Sequence, residues 1–180
     1  MAEFDLFANQ LWEESKRFFE KGIEASEASS QEANLHAALM LGFCALEAHV
    51  NAIGEEFSVA KNLSLHEKAL LLEKEVRLEN GEFKLTAILK MAKLEDRMRF
   101  LHLKFSGHPI DTSSAWWGKF KQALQLRNDL THAKTIPSVT KKAVKDALQA
   151  MLDALDALYK AIYKKKFPPV GQGLQSSLIF

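Results

Sequence analysis

Leu35-His-Ala-Ala-Leu-Met-Leu-Gly-Phe-Cys-Ala-Leu-Glu-Ala-His-Val-Asn-Ala-Ile53 is the stretch on which the fold turns. Leu35, Leu39, Gly42, Leu46, Val50 and Ile53 recur at the three- and four-residue steps of one buried helical stripe. The opposite side is also poor in charge, carrying Ala37, Met40, Leu41, Cys44 and Ala48. A helix that is apolar nearly all round belongs at the centre of a domain. Its predicted span is about Glu32 to Phe57. Glu47 breaks the apolar run, with His36 and His49 to either side. A carboxylate in such surroundings is costly unless it is paired, so a partner for Glu47 is expected.

Outward from this segment the pattern stays helical. Toward the N-terminus, a helix from about Asp5 to Ser26 takes Phe7, Leu11, Phe18 and Ile23 as its apolar side. Toward the C-terminus, a short helix is expected over Leu65 to Glu75. Val76 to Leu85 then places Asn80-Gly81 between two short alternating runs, a hairpin signal. Further helices are predicted from Ile88 to Lys104 and from the cap candidates Asp111, Thr112 and Ser113 to about Lys134. The last runs from Thr140 to Lys165, with Val144, Leu148, Met151, Leu155, Leu158 and Ile162 as its stripe. The expected fold class is all-α: an up-and-down four-helix bundle with short extra helices and a small β-hairpin insert. One helical-bundle domain over residues 1–166 and a mobile tail over 167–180 complete the organisation. The tail's Leu178-Ile-Phe180 is apolar enough to dock.

Composition narrows the function classes. The 180 residues are 47% hydrophobic and 26% charged, as in an ordinary globular domain. Lys and Arg number 24 against 23 Asp and Glu, so net charge gives no general attraction to nucleic acid. Cys44 is the lone cysteine, which excludes an internal disulfide and suits a reducing compartment. The N-terminus has no basic stretch followed by an apolar one, and the most apolar run, Ala37 to Leu46, is short for a bilayer. A cytoplasmic protein without membrane contact is expected. No glycine-rich phosphate loop, no CxxC and no HExxH occurs, so neither cofactor nor metal is expected.

The segment that stands out is Arg127-Asn128-Asp129-Leu130-Thr131-His132. On a continuing helix, Arg127, Asn128, Thr131 and His132 form one polar patch, while Asp129 points away. Arg127 also follows Leu124 and Phe120 by three and seven residues, beside the core-facing stripe. Spacing alone is weak here, because Arg97 and His102 repeat it. There the equivalent patch contains Met98 and Leu101, so that second match is read as chance.

Arg127-Asn128-Asp129-Leu130-Thr131-His132 resembles the Arg-polar-x(3–5)-His motif of HEPN domains and lies where that family carries it, before the final long helix. Ala45-Leu-Glu-Ala-His-Val-Asn51 resembles the family's second helix, with a polar residue inside an apolar run. The likeness in helix order covers most of residues 1–165. It implies a homodimer in which two such motifs meet in a composite, metal-independent endoribonuclease site. It also implies a place in toxin–antitoxin or other defence systems, with an antitoxin protein as a partner. Other members have lost catalysis and act as binding modules.

The residue types suit that chemistry. RNA carries its own nucleophile, the 2′-hydroxyl, and cleavage needs a base for its proton and an acid for the leaving 5′-oxygen. An imidazole performs either task near neutral pH, which gives His132 its catalytic role. Arg127 would hold the phosphate and the transition-state charge. Asn128 and Thr131 fall to orienting or substrate binding. Glu47 and Asn51 join them if the second helix faces the one that carries Arg127. The plainer reading makes Arg127 and His132 a structural or surface pair. It makes Glu47 and Asn51 satisfied polar groups inside the bundle, and Trp116 and Trp117 packing aromatics. The competing function is a non-catalytic helical module that binds a partner protein or a small ligand.

Overall fold

A computed structural model describes residues 3–134 and 136–180. The chain forms α1 (Glu3–Glu24), α2 (Ala28–Ser58), α3 (Leu65–Leu72), β1 (Lys74–Glu79), β2 (Glu82–Leu89), α4 (Leu94–Ser106), α5 (Ala115–Thr131) and α6 (Lys141–Tyr163), followed by a 3-10 turn at Pro168–Gln172. The mainly helical expectation holds. Six α-helices and one two-stranded antiparallel sheet make up the regular structure of the described residues. α1 and α2 form a tight hairpin across a three-residue link, and α6 is a hub that touches α1, α2, α4 and α5. α5 leans on α6 and meets α2 only slightly.

α2 is the central helix its composition announced. Leu35, Leu39, Leu46 and Val50 are fully buried. By length and apolarity it is the one described helix able to cross a membrane, but 56% of its most apolar window lies buried inside the fold. Gly42 is required where α2 crosses α6, because a Cβ there would lie 2.7 Å from Leu148 Cδ2. α6 buries Val144, Leu148, Met151, Leu155 and Leu158 as its stripe demands. Thr140 caps it by accepting from the Ala143 amide.

α1 departs from the expected register. Phe7 and Ile23 are exposed, and Ala8, Trp12, Ser15, Lys16 and Phe19 face inward. Among them Trp12 and Phe19 fill the core, while Ser15, with Gly22, lets α1 close on α2. The Ser15 hydroxyl donates to the Ala38 carbonyl at 2.7 Å, and a Cβ on Gly22 would meet Leu35. Lys16 is buried with its ammonium 2.5 Å from Glu13.

The hairpin forms, longer than expected. Asn80 and Gly81 take positive φ of 53° and 84°, as a tight two-residue turn needs. Arg77 pairs with Lys84 and Leu78 with Phe83. Ile88 and Leu89 extend β2 past an irregularity that brings Leu89 opposite Lys74. Helix α4 therefore starts at Leu94 and not at Ile88. α3 opens with a capping box between Ser64 and Glu67 and ends at Glu73 in the left-handed region.

Residues 167–180, the predicted tail, make specific contacts with α1 and the core. Phe167 is buried, Ser176 and Ser177 bond to Glu13, and the Phe180 ring packs edge-on against Phe18. An apolar end and serine donors opposite the α1 carboxylates account for this path. Burial pushes the Glu13 carboxyl up, but bonds from Lys16 and Ser177 outweigh it and hold the group below its usual value.

Candidate functional site

Arg127 sits on the last turns of α5, where that helix leans toward α2. Its guanidinium lies over the Phe43 ring, 5.1 Å from the centroid, and Nη1 is 3.6 Å from Glu47 Oε1. The expected partner of Glu47 is therefore Arg127. At 3.6 Å the contact is a loose ion pair and not a hydrogen bond. Arg127 Nε is buried and has no acceptor among the described residues.

The pocket that contains this pair holds about 350 Å³ and is lined by Glu47, Asn51, Glu73, Lys93, Arg97 and Arg127, with Met91, Ala92 and Leu94 as its less polar wall. Arg97 is the residue sequence reasoning missed. It is only 3% exposed. Its Nη1 pairs with Glu73 Oε2 at 3.0 Å, and Nη2 donates to the Leu71 carbonyl at 2.9 Å. Glu73 Oε1 accepts from the Ala92 amide at 3.0 Å. Burial draws the Arg97 pKa down, opposed by the carboxylates of Glu73 and Glu47. Arg127, Glu47, Arg97 and Glu73 thus form a row of alternating charge across α5, α2, α4 and the end of α3. One sequence signal pointed here. Arg97 interrupts an α4 face that is otherwise apolar at Leu94, Met98 and Leu101, and a buried cation needs a carboxylate.

His132 is placed elsewhere. α5 ends at Thr131, and His132 is its C-cap with φ −123° and ψ 41°, off the helical path. The Thr131 hydroxyl donates to the carbonyls of Arg127 and Asn128 at 3.0 and 3.2 Å and closes the helix end. That turn leaves His132 exposed, in a shallow pocket of about 420 Å³ shared with Asn128, Asp129 and Lys134. The six expected site residues therefore divide. Arg127, Glu47 and Asn51 share one pocket, Asn128 and His132 share another, and Thr131 lines neither of them, its hydroxyl being bonded to the helix end.

Cys44 is exposed beside this pair. Burial of its thiol raises its pKa, the Glu47 charge raises it further, and Arg127 opposes both. Among the described residues, no group of three or more His, Cys, Asp or Glu side chains is placed to hold a metal ion. Comparison with protein-family models, with curated proteins and with solved structures finds no match.

Proposed function

We propose that this chain is a metal-independent endoribonuclease of HEPN type, acting in the cytoplasm as a homodimer, with RNA as substrate and an antitoxin protein as a regulator. The observation that carries the reading is the state of Arg127. It is a half-buried guanidinium, propped on Phe43 and only loosely held by Glu47. Such a group is oriented but uncommitted, as an arginine that receives a phosphate must be. His132 stands at the same helix end, exposed and able to reach into a second copy. In that dimer one His132 takes the 2′-hydroxyl proton. The attack forms a 2′,3′-cyclic phosphate, and the other His132 protonates the departing 5′-oxygen. Arg127 from each protomer offsets the phosphorane charge. Asn128 and Thr131 hold the strand at the helix end, while Glu47 and Asn51 orient Arg127 from α2.

The test is cleavage of single-stranded RNA by purified protein in EDTA. Loss of cleavage in Arg127→Ala and in His132→Ala supports the reading. Activity that survives both changes, or that requires added metal, overturns it.

A second reading has its own observation. Within one chain Arg127 faces Glu47, Asn51 and Arg97, and His132 lines a different pocket. A non-catalytic module that binds a small polar ligand or a partner protein needs only the first of these. A strict monomer by light scattering at high concentration favours this module, because no composite site can then form.

A further inference from the structure

The pocket at the foot of the hairpin collects more cationic side chains than the nuclease reading requires. Arg97 is almost fully buried, and its Nε has no acceptor among the described residues. Arg127 Nε is buried in the same condition. Both Nε atoms are closed to solvent, so what the two guanidiniums offer the pocket is their charge and the edges that line it. Lys93 stands exposed at the rim. It is also the N-cap of α4 and supplies no side-chain cap. The positive end of a thirteen-residue helix therefore opens on the same space.

The carboxylates do not cancel these charges. Glu73 is committed to Arg97 and to the Ala92 amide. Glu47 is held loosely, 3.6 Å from Arg127, with its charge also bearing on Arg97. Glu95, in the first turn of α4, is engaged by Arg99 and Lys121. Three cations against two carboxylates leave the pocket receptive to an anion. Its volume of about 350 Å³ exceeds what a bare phosphate fills and lies at the small end of ligand sites. Asn51 adds an amide with both donor and acceptor. Met91, 70% exposed, and Leu94 supply an apolar wall for a flat ring.

We propose that this pocket binds one phosphate-bearing nucleotide. The phosphate sits among the guanidiniums of Arg127 and Arg97, Lys93 and the α4 N-terminus, and the base lies against Met91 with Asn51 reading its edge. Two sources share that chemistry: a free nucleoside monophosphate, and a nucleotide within a single strand. The proposal does not rest on the nuclease reading, because binding is measured without cleavage.

Titration calorimetry of the full chain tests it with adenosine monophosphate, uridine monophosphate, adenosine, and a short oligodeoxynucleotide that lacks the attacking 2′-hydroxyl. The monophosphates bind, more weakly as salt rises, and adenosine binds about tenfold less tightly or worse. Lys93→Glu, a surface change that leaves the fold intact, and Arg127→Gln each weaken the monophosphate by about tenfold or more. Glu47→Gln tightens it by removing a competing carboxylate. Asn51→Leu alters the preference between the two bases and leaves the phosphate requirement. If Lys93→Glu weakens the oligodeoxynucleotide in parallel, the pocket belongs to the strand path. If the oligodeoxynucleotide does not bind while the monophosphates do, the ligand is a free nucleotide. Binding indifferent to Lys93→Glu and Arg127→Gln, or no binding by any probe, overturns the proposal.

Discussion

Arg97→Met isolates the buried ion pair on which the candidate pocket is built. Methionine keeps much of the stem's packing and removes the charge. Glu73, whose side chain is 12% exposed, then keeps only the Ala92 amide as a partner, and the Leu71 carbonyl loses its donor. Breaking a buried pair by removing one member costs about 3–5 kcal/mol. That is a large share of the roughly 5–15 kcal/mol by which a domain is stable. At roughly 2–4 °C per kcal/mol for a chain of this size, the thermal midpoint should fall by about 6–20 °C. Urea denaturation of the wild type, Arg97→Met, Glu73→Gln and the double variant closes a double-mutant cycle. The double variant should be more stable than Arg97→Met, because no charge is left stranded. A loss below about 1 kcal/mol in Arg97→Met, as an exposed pair would give, or the absence of coupling in the cycle, refutes the reasoning.

Other consequences follow from single contacts. Gly54→Ala should destabilise by roughly 1–3 kcal/mol, because its Cβ would lie 2.8 Å from the Leu71 carbonyl oxygen that Arg97 holds. Gly118→Ala in α5 meets open space and should gain up to about 1 kcal/mol; chemical denaturation of both reads the contrast. Glu67 is held down to about 2, first by the Ser64 amide, then by Lys104 and the Ser64 hydroxyl. A lowered carboxyl stabilises fully above its ordinary value of 4.5 and loses that contribution as pH falls toward 2. Thermal melts across that window should decline less steeply for Glu67→Gln. Cys44 reports on the Glu47–Arg127 pair. Its alkylation at mildly alkaline pH should quicken in Glu47→Gln and slow in Arg127→Gln, because the thiolate feels both charges.

Much of the fold was legible, for identifiable reasons. α2 and α6 carry apolar stripes long enough that no other element suits them, and Asn80-Gly81 selects a tight turn whatever surrounds it. The register of α1 was hidden, because Ser15 is buried through a bond to α2, Lys16 through Glu13 one turn away on α1, and Gly22 serves close approach. The contacts of the tail were hidden in part, although its apolar end was legible as able to dock. Its serines mean nothing until Glu13 stands opposite them. The site was half legible. That Glu47 needs a partner followed from the cost of an unpaired carboxylate in an apolar helix; that the partner is Arg127 depends on how α5 meets α2. Arg97 was set aside because its spacing matched a motif in the wrong surroundings, while its burial depends on Glu73 in a distant turn. The end of α5 at Thr131 was invisible, since Thr131 can continue a helix or close one with its hydroxyl.

The central claim is that Arg127 and His132 act together only when two copies meet. Initial rates of RNA cleavage in EDTA, measured across protein concentrations that span monomer and dimer, test it most directly. Cleavage per chain should rise with concentration to a plateau, yield 2′,3′-cyclic phosphate ends, and vanish in Arg127→Ala and in His132→Ala while both variants stay folded. A rate per chain that is constant down to the monomer, or that persists in either variant, would contradict the account.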